Sequence, residues 1–270
     1  MKKNSFDPYA KYRYKQKLKK STNNSKSKVL AILFVVLSLA VVIFFSISFS
    51  NFLLVGKVVN INNSFSSIPK TVFALSLNST MSKGDATQKA EQQQLQGGAG
   101  YVLEINGNYQ VISSIYPTQN ECDKVKNALL AQNPNAQTIC LTLPQVVIKS
   151  NFSSAQRQSL NNSLNMFYST YLSLYNLSNQ YDTQKIDQIT LKTSIQSLKE
   201  QNQKIVQDFQ KSFSQSSVVA IIYAKIYLNK TNQVISNLLS RLETQISSSS
   251  LKKAYTSVID LYLSFCDEIN

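Results

Sequence analysis

The stretch GGAGYVLEINGNYQVISSIY, residues 97–116, contains four of the six glycines in the chain. Within it, the pair Asn106-Gly107 separates two segments in which apolar and polar residues alternate, and this is the strongest short-range signal for a β-hairpin. A type I′ turn needs a positive φ at both central residues, which asparagine and glycine tolerate. We therefore predict that the chain reverses here and that the two flanking strands pair antiparallel.

The other three glycines of this stretch are Gly97, Gly98 and Gly100. A phosphate-binding glycine loop follows a strand and opens a helix with the spacing G-x-G-x-x-G. These glycines do the reverse, because they follow a polar helix-like segment and precede a strand. A glycine that ends a helix belongs at this place, so we predict a structural role for them and no phosphate site.

The hairpin joins two copies of one strand–helix–strand unit. The first copy reads TVFALSLNS, KGDATQKAEQQQLQ and GAGYVLEI, and the second reads NYQVISSIY, TQNECDKVKNALLAQ and NAQTICLTL. The order strand–helix–strand predicts parallel pairing within each unit and a right-handed crossover. We therefore expect a βαββαβ domain over residues 70–143, with a four-stranded sheet and two helices on one face.

The rest of the chain has a different character, because residues 145–270 contain neither proline nor glycine. Such a segment does not suit a β domain with tight turns, and its apolar residues recur at helical spacing. We predict three or four long amphipathic helices over residues 144–270, packed as a bundle or a long hairpin. Breaks are expected near 179–183, with Asp182 or Thr183 as an N-cap, and near 247–250, whereas a break near 214–217 is only weakly marked.

One part of this region, SSVVAIIYAKIYL at residues 216–228, is apolar enough to raise the question of a second membrane span. It is shorter than the about 20 residues that a spanning helix needs, and it contains Lys225. A buried helix of the bundle is therefore the favoured interpretation.

The chain opens with a basic segment and a long apolar one. Residues 1–28 hold ten Lys and Arg residues and one acid, a net charge of +9 out of +14 for the whole chain. Residues 29–55 are uncharged over 27 positions, which is enough for a bilayer-spanning helix and longer than the apolar core of a secretory signal. We predict a cytoplasmic tail at 1–28, an uncleaved transmembrane helix at 29–55, a linker at 56–69 and extracytoplasmic domains beyond it.

The tail charge fits a topology signal with attraction to anionic lipids, and the alternative is a cytoplasmic partner bound through Tyr9, Tyr12 and Tyr14. The remaining residues carry a net charge of only +5. A nucleic-acid-binding domain is therefore not required.

The absence of histidine excludes several kinds of chemistry. Zinc sites with histidine ligands, Ser-His-Asp triads and Cys-His catalysis all need that residue. The three cysteines do not form a spaced metal motif, so we predict no metal, no cofactor and no catalytic residues. A wall hydrolase could still use paired carboxylates. The candidate carboxylates are Glu104, Glu121, Asp123, Asp182 and Asp187. Their spacing does not distinguish them from surface charges or helix caps.

Residues 70–143 resemble the SPOR (sporulation-related repeat) domain, in the divergent form found in Firmicutes. The resemblance is carried by FALSLNS (73–79), by the stretch 97–116 and by ECDKVKNAL (121–129), and it does not reach the C-terminal region. It implies binding to septal peptidoglycan, preferentially to glycan strands without stem peptides, by a single-span protein with a cytoplasmic N-terminus. The expected fold class is α+β: one transmembrane helix, a small βαββαβ domain of the SPOR or ferredoxin-like type, and an all-α region.

If glycan is bound, we expect an exposed face of the sheet to be the platform, with aromatic rings against the sugars and amides on their hydroxyl groups. The candidates for glycan binding are Phe73, Tyr101, Tyr109 and Gln110. Successive strand residues point to opposite faces, and the alternation leaves open which set faces the helices. Packing in the core is the alternative for each aromatic side chain.

An extracytoplasmic location permits disulfides. Cys122 starts the second helix of the repeat, and Cys140 lies late in the strand that follows, so the two ends of one unit make a Cys122–Cys140 disulfide a candidate. Ile139 and Leu141 look buried, which would turn Cys140 away from the helix, so the alternative is two separate thiols. Cys266 is expected to be a core residue of the last helix.

The first functional hypothesis is a single-pass, membrane-anchored, non-catalytic cell-envelope protein of division or sporulation that binds peptidoglycan glycan. The second is an extracytoplasmic scaffold that assembles a protein complex through its C-terminal helices, whose amphipathic faces permit self-association through residues 150–270. The expected partners are peptidoglycan or envelope proteins and the cell membrane, with no nucleic acid.

Overall fold

The computed structural model describes residues 64–241 and 247–269. The predicted cytoplasmic tail, the transmembrane helix and most of the linker lie outside the described residues. The described residues belong to one compact unit, Asn63–Asn270. They form a mixed α+β structure, mostly helical, with six helices and two small antiparallel sheets. Among these residues, no helix is both long and apolar enough to cross a bilayer.

The element order is βαββαβ over the predicted repeat, as expected, with one short strand on either side of it and four long helices at the end. The strands are β1 (Ser64–Ser66), β2 (Lys70–Thr80), β3 (Tyr101–Ile105), β4 (Asn108–Tyr116), β5 (Gln137–Leu143) and β6 (Val147–Lys149). The helices are α1 (Lys83–Leu95), α2 (Gln119–Leu129), α3 (Ser154–Asp182), α4 (Gln188–Ser212), α5 (Val219–Arg241) and α6 (Ser248–Ile269).

The predicted parallel pairing within each repeat unit is wrong. The four-stranded sheet has the order β3-β4-β2-β5, and each neighbouring pair in it is antiparallel. Strand β4 lies between β2 and β3, and β2 lies between β4 and β5. The two strands of a unit therefore run in the same direction without bonding to each other, because the hairpin strand β4 uses its second edge to pair with β2.

The quoted stretch forms the predicted hairpin. Asn106 and Gly107 have φ values of 51° and 75°, as a type I′ turn requires, and the strands pair from Tyr101 opposite Ile112 onward. The stretch also ends helix α1 as predicted. The amides of Gly97 and Gly98 donate to the carbonyls of Gln94 and Gln93, at 3.1 and 3.0 Å, which is the bonding pattern of a Schellman cap.

The four long helices form a closed bundle, which confirms the higher of the two predicted helix counts. Helix α3 contacts α4 and α6, and helix α5 also contacts α4 and α6. Ser153 and Gln156 start α3 with a capping box, the reciprocal arrangement that satisfies two orphan amides. The predicted N-cap at Asp182 or Thr183 is wrong, because α3 continues to Asp182, and Asp187 caps α4 by accepting a bond from the Thr190 amide at 2.8 Å.

The sheet and the bundle share one hydrophobic core. Strand residues such as Val72 and Ile112 belong to the same buried cluster as Phe167 and Phe265 of the bundle. On β4, Val111 packs with α1 whereas its neighbour Ile112 packs with the bundle. Since neighbouring strand residues point to opposite faces, helices α1 and α2 cover one face of the sheet and the bundle covers the other.

Helix α6 holds the quoted stretch through three side-chain hydrogen bonds. Lys252 donates to the Gly97 carbonyl at 3.0 Å, and the Tyr101 hydroxyl donates to Asp260 at 2.6 Å. Between them, the hydroxyls of Ser114 and Tyr255 lie 2.5 Å apart. The segment that joins the two repeat units is therefore also hydrogen-bonded to the last helix.

Candidate functional site

Neither face of the central sheet is open to a ligand along its two middle strands. No residue of β4 is exposed, and none is exposed in 72–77 of β2. The expectation of an exposed sheet face as a glycan platform is therefore wrong for these strands. The physical reason is that α3 and α6 carry large apolar surfaces of their own, and they bury these surfaces against the face that α1 and α2 leave free.

The three aromatic candidates for glycan binding lie in three different places. Phe73 packs with the cluster that contains Cys122, Tyr109 packs with the cluster that contains Ala90, and Tyr101 packs against the bundle core. All three side chains are half-buried. The structure does not bring them together on one surface, and it places each in the packing role that was the alternative to sugar contact.

Gln110, the fourth candidate, is 8% exposed, and its amide is engaged on both sides. Its Oε1 accepts bonds from Ser76 at 2.9 Å and from Gln137 at 3.1 Å, and its Nε2 donates to Ser79 at 2.9 Å. A buried amide with such partners stabilises the sheet, because an unpaired one would be costly. Both ends of the Gln110 amide are thus occupied by hydrogen bonds within the protein.

A hydrogen bond from Tyr101 to Asp260 links the sheet to α6. Burial raises the pKa of the Asp260 carboxyl, the bond from Tyr101 opposes this shift, and the charge of Asp267 adds to it. Burial also raises the pKa of Tyr101, with the Asp260 charge as a second cause. Because the Tyr101 phenol keeps its proton, it can donate this bond, and the pair links the sheet to α6.

A group of tyrosines fills the space between β4 and the bundle. The ring of Tyr255 lies 6.0 Å from that of Tyr171 and 5.9 Å from that of Tyr175, and Tyr116 lies 6.0 Å from Tyr175. The edge-to-face geometry of these pairs is the favoured one for aromatic rings. Burial raises the pKa of Tyr116 to about 12. These phenols therefore stay neutral near neutral pH and serve as packing groups.

The candidate Cys122–Cys140 disulfide is not formed in the structure, where all three thiols are free. The buried Cys122 thiol lies 3.4 Å from the hydroxyl of Thr138. Thr138 precedes Cys140 by two residues on β5, a displacement of about 7 Å along the strand. Cys140 is exposed, while Cys266 is fully buried as expected.

Each of the five carboxylates considered for hydrolysis either bonds to another group of the protein or lies exposed on the surface. Asp123 accepts bonds from Lys126 at 2.8 Å and from Thr138 at 2.7 Å, and these bonds lower its pKa. Asp182 accepts a bond from Ser248 and pairs with Lys252 at 3.2 Å.

The other three carboxylates lie at the starts of two helices and on a strand. Asp187 caps α4, and its bonds to Thr190 lower its pKa. Glu121 accepts a bond from Thr118 at 2.8 Å at the start of α2, and Glu104 is exposed on β3. In the part of the chain that the structure describes, no cluster of His, Cys, Asp and Glu could hold a metal ion.

A cleft between α5 and α6 combines apolar, polar and cationic side chains. It has a volume of about 130 Å³ and lies between the last turns of α5 and the first half of α6. Its apolar lining comes from Val234, Leu238 and Ala254, and its polar lining from Asn237, Ser250 and Ser257. The two remaining side chains are cationic, Arg241 and Lys253.

The two cations of this cleft influence each other. Burial lowers the pKa of Lys253, the positive charge of Arg241 lowers it further, and the negative charge of Glu91 on α1 raises it. The cleft therefore brings two cationic side chains to one place, with the Glu91 carboxylate close enough to act on Lys253. Sequence reasoning missed this site because its two cations are twelve residues apart on different helices, and only helix packing brings them together.

No protein-family model matches the chain, and neither the curated proteins nor the solved structures yield a match. The fold therefore defines the class of this protein. Its described residues form an α+β unit in which a βαββαβ sheet and a four-helix bundle share a core.

Proposed function

We propose that this chain is a single-pass, membrane-anchored, non-catalytic protein of the cell envelope that acts in division or sporulation and binds peptidoglycan glycan. The apolar segment 29–55 behind a basic tail supports the anchor and its orientation. The βαββαβ order of the folded unit agrees with the SPOR resemblance. Four of the five carboxylates considered for hydrolysis serve as caps, salt-bridge partners or hydrogen-bond acceptors, which supports a binding role.

The observation that carries the proposal is the α5–α6 cleft, which we infer to be the glycan-binding surface instead of the covered sheet. It combines an apolar floor with an amide, two hydroxyls and two cations. Ligand sites typically pair an apolar lining with a few polar groups that fix orientation. A sugar polymer, with its C–H faces and many hydroxyls, presents the matching surface.

Sedimentation with purified cell walls tests glycan binding. The full chain in detergent is mixed with sacculi and with sacculi treated with an amidase, and the bound fraction is measured after centrifugation. We expect the chain to sediment with the walls, and more strongly after amidase treatment. A chain that stays in the supernatant with both wall preparations contradicts the proposal, and release of dye from labelled walls contradicts a non-catalytic role.

The position of a fluorescent fusion tests the biological setting. A band at the septum is expected for a protein that acts on the wall during division or sporulation. A uniform envelope signal throughout growth and sporulation contradicts this part of the proposal and favours the scaffold described next.

A second candidate function, an extracytoplasmic scaffold, has one observation in its favour. Val219, Ile222 and Ile226 are 61%, 43% and 43% exposed, and their spacing places them on one face of α5. Apolar residues grouped on a surface are typical of sites where proteins meet. In this hypothesis the stripe binds a second copy of the chain.

Light scattering on the full chain in detergent tests the scaffold hypothesis. We expect a dimer or larger species that Ile222→Asp and Ile226→Asp convert to a monomer. Ile189→Asp is the matched control, because Ile189 is 76% exposed but lies on α4, away from the stripe. A monomeric wild-type chain, or a control that disrupts assembly equally, contradicts the hypothesis.

A further inference from the structure

A bowl at one end of the bundle is larger than the α5–α6 cleft. It lies where the end of α4 meets the segments that precede α3 and α5, and it is lined by residues 150–152, 156, 212–216 and 218. Its volume is about 390 Å³, compared with about 130 Å³ for the cleft. Sites for small molecules typically have volumes of about 300–1,000 Å³. The bowl is therefore of a size that suits a small ligand.

The apolar part of the bowl is largely aromatic. Phe213 is buried, and its ring lies 5.6 Å from that of Phe152 in an edge-to-face arrangement. The ring of Phe209 lies 4.8 Å from that of Phe213 and holds it in place. Phe152 is only half-buried, so part of its ring is open to a ligand. The negative face of an aromatic ring attracts the partly positive C–H groups of a sugar.

The rest of the lining is polar but uncharged. Among the described residues that line the bowl, none is acidic and none is basic. Some of these polar groups already have partners. The amide of Gln156 accepts a bond from the Ser153 backbone and donates one to the Ser212 carbonyl. The hydroxyls of Ser212 and Ser216 also bond within the protein, so we assign none of these groups to a ligand.

Three other polar side chains of the bowl are available. Asn151, Ser214 and Gln215 are exposed, and no other residue that the structure describes is hydrogen-bonded to their side chains. Asn151 precedes α3, whereas Ser214 and Gln215 follow α4. Amides and hydroxyls both donate and accept hydrogen bonds, which suits the hydroxyl and acetamido groups of a sugar.

On the basis of the function proposed above, we propose that this bowl is a second sugar-binding site, which recognises an uncharged sugar unit of the wall glycan. One face of the sugar lies against Phe152, and the polar groups of the ring bond to Asn151, Ser214 and Gln215. An anion fits the bowl less well, because the described lining holds no cation to offset the removal of its charge from water.

The test measures the binding of soluble probes to the full chain in detergent by isothermal titration calorimetry. The first probe is an uncharged oligomer of N-acetylglucosamine, and the second is the free stem peptide of the wall. Asn151→Ala with Gln215→Ala removes two exposed amides from the bowl. Gln203→Ala with Gln207→Ala is the matched control, because it removes two exposed amides of α4 that do not line the bowl. Thermal unfolding shows whether each variant is folded.

We expect the wild-type titration with the sugar oligomer to contain a binding event that is about tenfold or more weaker in the bowl variant, since each neutral hydrogen bond is worth a factor of about five. The control should stay within about twofold of wild type. If the folded bowl variant binds the oligomer as well as the control does, the inference is overturned. A wild-type chain that binds the stem peptide but not the sugar oligomer also overturns it. If the bowl variant unfolds, Gln215→Ala alone replaces it, with an expected loss of about fivefold.

Sedimentation with walls separates this inference from the proposed function. If the wild-type chain sediments with walls but does not bind the sugar oligomer, the inference is overturned and the function stands. If the chain binds the oligomer through the bowl but sediments with neither wall preparation, the inference stands and the proposed function fails.

Discussion

Two buried tyrosine hydroxyls connect the bundle to strand β4 with bonds of different quality. The hydroxyl of Tyr255 lies 2.5 Å from that of Ser114, and the hydroxyl of Tyr171 donates to the Ile115 carbonyl at 3.4 Å. Both tyrosines are almost completely buried. A buried group that loses its only partner costs about 1–3 kcal/mol, whereas a long bond contributes little.

Tyr255→Phe should therefore lower the free energy of unfolding by about 1 kcal/mol, because it removes a short bond to the Ser114 hydroxyl, which keeps Tyr116 as a second partner. Tyr171→Phe is the matched control, and it should cost less than about 1 kcal/mol because its bond is long. Urea unfolding of residues 57–270, which contain the whole compact unit, measures both. Equal losses in the two variants would contradict the assignment.

Asp260 provides a test of pH dependence at the residue scale. Its folded pKa is raised above the usual value, chiefly by burial, so its contribution to stability is present at low pH and is lost as pH rises through the folded pKa. Asp260→Asn keeps an oxygen that accepts the bond from Tyr101 and removes the titration. The stability of this variant relative to wild type should therefore rise between about pH 4 and neutral pH.

Urea unfolding of residues 57–270 over this pH range measures the difference. Asp260→Ala is the control, because it also removes the titration but takes away the oxygen that accepts the bond from the Tyr101 hydroxyl. It should be less stable than Asp260→Asn at each pH. A stability difference between wild type and Asp260→Asn that does not change with pH would contradict the raised pKa.

At the scale of elements, the quoted stretch contains two glycines with positive φ in different surroundings. At Gly107, in the hairpin turn, a Cβ atom would meet nothing within 4 Å. At Gly100, between α1 and β3, a Cβ atom would lie 2.1 Å from the carbonyl oxygen of Ala90. Gly107 is therefore needed only for its backbone conformation, whereas Gly100 also allows α1 to approach β3.

Gly107→Ala should lower the stability of residues 57–270 by about 1–2 kcal/mol, the cost of a left-handed conformation for a residue with a Cβ atom. Gly100→Ala should cost clearly more, because α1 must also move away from β3. Thermal unfolding followed by circular dichroism measures both. If the midpoint of unfolding for Gly100→Ala is no lower than that for Gly107→Ala, α1 can move away from β3 without a loss of stability, and the prediction is wrong.

At the scale of the whole molecule, the repeat and the bundle are parts of one structure. Strand residues Val72, Ile112 and Ile115 are fully buried, and they belong to the cluster that the long helices complete. Without α3 and α6, this face of the sheet would expose a large apolar surface to water. The α/β half therefore depends on the helices for its stability.

Residues 63–152, which include both sheets, should not fold alone. Residues 57–270 should unfold in a single transition, because a shared core couples the two halves. Nuclear magnetic resonance spectra of the short fragment, together with circular dichroism melts of the long one, measure this. A dispersed spectrum for residues 63–152 would contradict the dependence, and two transitions in residues 57–270 would contradict the coupling.

The features that could be predicted from the sequence are those set by near neighbours. The Asn106-Gly107 turn, the end of α1 and the helical spacing of apolar residues in the C-terminal region depend on residues a few positions apart, and the sequence predicts all three. The start of α4 at Asp187 was missed because Asp182 and Thr183 are also good capping residues. Only the length of α3, set by its packing, selects between them.

By itself, the sequence determined the βαββαβ order, the hairpin and the helical character of the C-terminal region, because turn chemistry and hydrophobic periodicity act locally. Tertiary structure alone decided that β4 lies between β2 and β3, that α6 covers the face carrying Tyr101, and that Arg241 and Lys253 line the same cleft. The physical reason is that these contacts join segments far apart in the chain, and burial of apolar surface, which drives them, is not directional.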